Sequence, residues 1–139
     1  MLNTKKKIRI IFYLANFKFG GASKSIVKLC KFLIKKNFSV VVISVGKNSY
    51  KKELKRIKCQ VNELKVSRVL SSFFEIRKIL KQENFLNFRK IIFVSNIHYT
   101  NLISIFCIIG LNKIKIILTE RSSLFELRIK NTLLKKIKN

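Results

Sequence analysis

Three short polar segments carry the residue types that could do chemistry. The first holds Gly20 and Gly21, directly before a basic amphipathic stretch. Two adjacent glycines let a backbone approach a ligand closely, and free N–H groups at a helix start favour an anion such as a diphosphate. A tight turn without any ligand is the other interpretation, and the sequence leaves both open.

The second and third segments hold the single histidine and an adjacent acid and base. His98 lies in the polar run at residues 95–101, where it could act on a ligand or serve as a structural hydrogen-bonding residue. Glu120 and Arg121 follow a later apolar stretch. They predict either contacts with a ligand or a helix-capping turn, and their spacing does not decide between the two.

Alternating strand and helix patterns position these segments. Short apolar runs rich in β-branched residues predict five strands, at residues 7–14, 38–45, 60–66, 90–94 and 113–118. Amphipathic spacing predicts helices at residues 22–36 and 68–83, a short basic helix at 49–58, an apolar one at 99–109 and a last one from Ser123 to the end. In the helix at 22–36 the spacing puts Ile26, Leu29, Cys30 and Leu33 on the apolar face. This order predicts an α/β fold, an open parallel Rossmann-like sheet of about five strands with helices on both faces.

The predicted sheet brings the polar segments to one edge. Ligands of such sheets bind beyond the carboxyl ends of the strands, where the strand order reverses, so the loops after the first and fourth strands are the candidate site. These loops hold Gly20, Gly21 and His98. The dinucleotide fingerprint G-x-G-x-x-G and the P-loop are both absent, which argues against a nicotinamide-dependent oxidoreductase and a P-loop NTPase.

The composition limits the classes of protein to which the chain can belong. The chain has 139 residues, of which 31 are Lys or Arg and 6 are Asp or Glu, giving a net charge of +25. Because 48% of the residues are hydrophobic and 12 are Phe, the chain can bury a core and is not a disordered basic tail. Three scattered cysteines and one histidine predict neither a disulfide framework nor a metal site. No apolar run approaches the ~18 residues of a membrane span, so we expect a cytoplasmic protein.

Three segments together resemble a known family. They are KIRIIFYLANFKFGGASKSIVKLCKFLIKKNFSVVVIS at residues 7–44, VSNIHYTNL at 94–102 and ILTERSS at 117–123. This pattern is similar to the N-terminal, acceptor-side domain of retaining, family-four-type glycosyltransferases, whose GT-B architecture has two Rossmann-like domains facing across a cleft. The first segment is fairly specific as a whole, whereas a bare Gly-Gly pair would not be.

The resemblance implies a function and roles for five residues. Gly20 and Gly21 would lie against the diphosphate of a nucleotide-sugar donor, and His98 would lie near the reacting sugar. Glu120 and Arg121 would lie at the rim of the cleft or contact the acceptor. The donor is a substrate, and neither a cofactor nor a metal is implied. Residues 1–139 would be a single, incomplete N-terminal domain that transfers sugar to a glycan or lipid-linked acceptor only with a donor-binding domain, which could belong to a separate chain.

The net charge of +25 supports two functions other than that of one domain of a glycosyltransferase. One is a basic module that binds nucleic acid, but the cations recur on helix faces and no recognised nucleic-acid motif is present, so no specific nucleic acid is expected. The other, compatible with a transferase, is peripheral attachment to the anionic inner face of a membrane through the first helix and the lysines at residues 51–58.

Overall fold

Five parallel strands form one sheet in the computed structural model of the chain, which describes residues 8–120. They are β1 (Ile8–Leu14), β2 (Ser39–Val45), β3 (Gln60–Leu64), β4 (Lys90–Asn96) and β5 (Ile114–Thr119). The order across the sheet is β3-β2-β1-β4-β5, and every neighbouring pair is parallel. The chain therefore runs outward from β1 to β3 and then returns to the other side of β1 for β4.

Within the described part of the chain, four helices cover the sheet. They are α1 (Gly21–Lys35), α2 (Lys51–Arg56), α3 (Phe73–Phe85) and α4 (His98–Cys107), and a 3-10 turn over Leu70–Ser72 leads into α3. Buried side chains of α1 and α2 join the core on one face of the sheet, whereas those of α3 and α4 join the core on the other. The predicted fold, an open parallel Rossmann-like sheet with helices on both faces, is confirmed.

Alternation along β1 builds both cores. Ile11 and Tyr13 enter the core under α3 and α4, while Ile10, Phe12 and Leu14 enter the core under α1 and α2. Because parallel strands are covered on both faces, a central strand reads as a continuous apolar run rather than an alternating one. Burial of each large apolar side chain is worth about 1.5–3 kcal/mol, so the central strands contribute strongly to stability.

An ion pair is buried at the amino end of the sheet, away from the candidate site. Arg9 of β1 donates to both carboxylate oxygens of Glu83 on α3, at 2.8 and 2.6 Å. It also donates to Ser39 Oγ at 2.8 Å and Gln60 Oε1 at 2.7 Å, and its guanidinium lies 5.0 Å from the ring centroid of Phe88. These contacts satisfy the charge, which is why an arginine is tolerated inside an apolar strand.

The structure corrects the predicted bounds and faces of three elements. β4 continues to Asn96, because its backbone stays in register with Thr119 of β5, so the last two residues of the strand are polar. In α1 the buried set is Ile26, Val27 and Cys30, whereas Leu29 is 41% exposed. The helix predicted at residues 68–83 starts later, because a 3-10 turn precedes it.

Three further elements also differ from their predicted bounds: β3 ends at Leu64 instead of 66, α2 covers Lys51–Arg56 instead of 49–58, and α4 covers His98–Cys107 instead of 99–109. Residues 8–120 contain no helix that is long and apolar enough to cross a membrane. The helix predicted from Ser123 onward lies outside the described residues.

Candidate ligand-binding rim at the switch point

The strand order places one crevice at the carboxyl ends of β1 and β4. Leu14, the last residue of β1, pairs with Asn96, the last residue of β4, and Asn96 pairs with Thr119 on its other side. The chain leaves β1 toward β2 on one side and leaves β4 toward β5 on the other, so the loops after these strands diverge. Such a reversal is where open α/β sheets bind their ligands.

Gly20 and Gly21 lie at the start of α1, on the side of the crevice that follows β1. Both are exposed, and a Cβ added to either would have no atom within 4 Å. Gly20 is the N-cap residue, with φ 164° and ψ 166°, an extended conformation open to any residue, and Gly21 belongs to the helix. Neither the local backbone nor the packing of the described residues requires glycine here, so the tight-turn interpretation loses its physical basis.

The turn between β4 and α4 is strained. Ile97 has φ 86° and ψ 146°, a conformation that costs a β-branched residue of the order of 1–3 kcal/mol. Its backbone is fixed from both sides: its N–H donates to Thr119 O at 3.1 Å and its carbonyl accepts from Asn101 N at 2.9 Å. The sequence carried no signal of this strain, because a polar run predicts a turn without naming the residue that bends.

A polar brace holds that turn against β5. The Thr119 hydroxyl lies 2.9 Å from Ser95 O and 3.1 Å from Asn96 Oδ1, and Asn101 Nδ2 donates to Thr119 O at 3.0 Å. The Thr100 hydroxyl is buried against the carbonyls of Asn96 and Ile97. The loop after β4 is therefore a rigid platform, although the sequence predicted only that it was polar.

His98 is the first residue of α4 and is exposed. Its ring meets Tyr99 edge-on, with centroids 5.9 Å apart and planes at 77°. Among the described residues no carboxylate or hydroxyl is hydrogen-bonded to it. The exposed imidazole is placed to contact a ligand.

Of the predicted acid–base pair, the structure describes Glu120 alone. Glu120 is exposed directly after β5, at the same edge of the sheet as the other candidates, and it is the last described residue. Arg121 lies outside the described residues. The topology therefore brings Gly20, Gly21, His98 and Glu120 to one edge, and the acid–base pair itself stays a prediction.

Three buried polar atoms beside the brace have no hydrogen-bond partner among residues 8–120. They are Ser95 Oγ, Asn101 Oδ1 and Ser104 Oγ. Ser95 and Ser104 are fully buried, and a buried hydroxyl normally finds protein or water.

The titratable groups near the core are not arranged for metal binding. All three cysteines are buried and unpaired, and burial raises the pKa of the Cys107 thiol to about 11. No cluster of three or more His, Cys, Asp or Glu that could hold a metal occurs within residues 8–120. The described rim offers backbone N–H groups, polar loops, the imidazole of His98 and the carboxylate of Glu120.

No protein family, curated protein or solved structure was found to match this chain. The strand order, the open glycines and the braced turn after β4 are therefore the observations on which a function can be argued.

Proposed function

We propose that this chain is the acceptor-side Rossmann-like domain of a retaining glycosyltransferase of GT-B architecture. The observation that carries the proposal is a pair of glycines with open space beyond them, at a helix start beside the β1/β4 switch point. A ligand that approaches the backbone closely explains glycine there better than the fold does. The resemblance of the three sequence segments supplies the class of ligand, a nucleotide sugar.

Different residues of the rim would bind the donor and the acceptor. Backbone N–H groups at Gly20 and Gly21 would approach the donor diphosphate, which the positive end of α1 favours. His98, Glu120 and Arg121 would contact the reacting sugar or the acceptor. In the reaction the oxygen of the acceptor hydroxyl forms a bond to the anomeric carbon and the bond from that carbon to the phosphate oxygen breaks. The nucleoside diphosphate leaves with the bonding electrons and takes up the proton of the acceptor hydroxyl.

Transfer would require a second domain. An oriented donor and stabilised charge on the leaving diphosphate supply most of such a rate enhancement, and the described residues would form only one side of the cleft. We therefore expect the 139-residue chain alone to transfer no sugar from a nucleotide sugar, and detectable transfer by the purified chain would contradict this. The acceptor would be a glycan or a lipid-linked sugar, met at the cytoplasmic face of a membrane.

Equilibrium binding of uridine diphosphate to glycine variants tests the role of the rim. Gly21→Ala adds a methyl group that the described structure accommodates, so the fold should persist while close approach of the diphosphate is lost. We expect binding to weaken by about tenfold, the equivalent of roughly 1.4 kcal/mol.

Ser25→Ala is the matched control, because Ser25 is an exposed residue one turn further along α1 whose hydroxyl donates to Gly21 O at 2.9 Å. It should leave binding unchanged. Equal affinity of Gly21→Ala and the natural chain would contradict the proposed approach of a diphosphate.

A further inference from the structure

A second concave site lies between α1 and α2, beside the end of the loop after β1, where Phe19 precedes Gly20. Its volume is about 500 Å³, within the usual range of small-molecule sites. The residues that matter for its chemistry are the aromatic pair Phe19 and Tyr50, the cations Lys31, Lys52 and Arg56, and the carboxylate Glu53. The proposed diphosphate site at Gly20 and Gly21 does not account for these side chains.

Phe19 and Tyr50 form an aromatic wall of this cavity, and contacts that start at a core residue hold the wall in place. Phe17 is fully buried, and its ring meets Tyr50 edge-on at 5.6 Å. Tyr50 in turn meets Phe19 at 5.1 Å, with the two ring planes at 68°. The loops after β1 and β2 are joined below them, where Ser49 N donates to Phe17 O at 2.9 Å. Phe19 is 76% exposed, so a large apolar ring is fixed at the surface with one face free.

The charges of the cavity leave two cations unpaired. Lys31 of α1 contacts Glu53 of α2, with Nζ 2.6 Å from Oε1, which ties the two helices together across the cavity. Lys52 and Arg56 are one helical turn apart on α2, and neither makes an ion pair with another described residue. Residues four apart lie on the same helix face, so the two charges can act on one ligand group.

We propose that this cavity binds a phosphorylated sugar. The apolar C–H face of the sugar ring would pack on Phe19, and the second carboxylate oxygen of Glu53 would accept from sugar hydroxyls. Phosphate carries about −1.5 to −2 charge at neutral pH and so neutralises both Lys52 and Arg56, whereas a carboxylate would neutralise one of them. Arg56 can also bind phosphate through two parallel hydrogen bonds.

Amide NMR titration of the full chain with small ligands at constant ionic strength tests this site. Glucose 6-phosphate should shift the amides of Phe19, Tyr50 and Arg56, with a Kd about tenfold or more below those of glucose, inorganic phosphate and glucuronate. The proposal does not rest on the transferase function, because Tyr50 and Arg56 line this cavity whereas His98 belongs to the switch-point site. Shifts at Tyr50 and Arg56 without a shift at His98 therefore distinguish binding here from binding at the switch point.

Variants assign the binding to named side chains. Arg56→Gln should weaken glucose 6-phosphate binding by about tenfold, a typical effect of losing a charged hydrogen-bond donor. Lys55→Gln is the matched control: Lys55 is exposed on the same helix but does not line the cavity, and it should change the Kd less than about twofold. Phe19→Ala, at an exposed position, should remove most of the preference for glucose 6-phosphate over inorganic phosphate.

Three results would overturn the proposal. Equal losses in Arg56→Gln and Lys55→Gln would mean that the basic surface as a whole attracts phosphate. Equal affinity for inorganic phosphate and glucose 6-phosphate would remove the role of the aromatic wall. Tighter binding of adenosine monophosphate than of glucose 6-phosphate at the same amides would make this a nucleotide site instead.

Discussion

At the scale of single residues, Arg9 and Glu83 form the contact whose loss should cost the most. Arg9→Met would leave the Glu83 carboxylate buried without its partner, and breaking a buried pair from one side costs about 3–5 kcal/mol. Urea unfolding should show this loss as a large fall in the midpoint. In the double variant Arg9→Met with Glu83→Leu, much of the stability should return, and a double variant as unstable as the single one would contradict this account.

Ile97 is a residue whose replacement should stabilise the protein. Ile97→Gly removes the strain of a β-branched residue at φ 86°, and after the entropy that glycine costs we expect a gain of about 1 kcal/mol. Thermal unfolding would record the gain as a higher Tm. Ile97→Ala keeps the unfavourable backbone and serves as the control. A glycine variant no more stable than the alanine variant would show that the turn is relaxed.

At the scale of elements, Glu63 links the end of β3 to the loop before α2. Its carboxylate accepts from Lys51 and from Asn48 N at 2.8 Å, and the hydrogen bond from Lys51, the larger effect, lowers the pKa of this carboxyl, with the bond from Asn48 adding to it. A lowered carboxyl pKa stabilises the fold above the ordinary pKa of Glu. That contribution is lost as pH falls through the folded-state pKa.

Glu63→Gln should therefore lower the free energy of unfolding by about 1 kcal/mol at neutral pH and flatten its decline in acid. Urea midpoints measured between about pH 7 and 3 would test this. The exposed Glu75 of α3 makes no ion pair among the described residues, and Glu75→Gln is the control. If the urea midpoint falls equally with decreasing pH in Glu63→Gln and in the natural chain, the Glu63 carboxylate does not stabilise the fold through these hydrogen bonds.

The sequence predicts the helices and strands where the hydrophobic periodicity is strong. It does not predict features that depend on tertiary contacts. Predominantly apolar runs predicted β1, β2, β4 and β5, whereas β3 has the mixed sequence QVNEL, and the alternation of strands with helices predicted the fold. The face of α1 was partly wrong, because Val27 and Leu29 are equally apolar and the tilt of the helix on the sheet decides which is buried. The strain at Ile97 and the wall formed by Phe19 and Tyr50 depend on contacts between loops distant in sequence, which no local pattern records.

At the scale of the whole molecule, the charge of +25 predicts attraction to anionic surfaces. Each exposed Lys or Arg near an anionic lipid surface is worth about 1 kcal/mol, and salt screens the effect. Lys24, Lys28 and Lys35 are exposed along α1. We expect co-sedimentation with phosphatidylglycerol vesicles that weakens steeply with added salt, and equal binding to neutral phosphatidylcholine vesicles would exclude it.

The central claim is that the β1/β4 switch point binds the diphosphate of a nucleotide sugar, and mapping the amide NMR shifts caused by uridine diphosphate tests it most directly. We predict saturable shifts at Gly20, Gly21 and His98, on the two loops that meet at this edge of the sheet. Shifts spread evenly over the lysine-bearing faces of α1 and α2, and abolished by moderate salt, would contradict the claim.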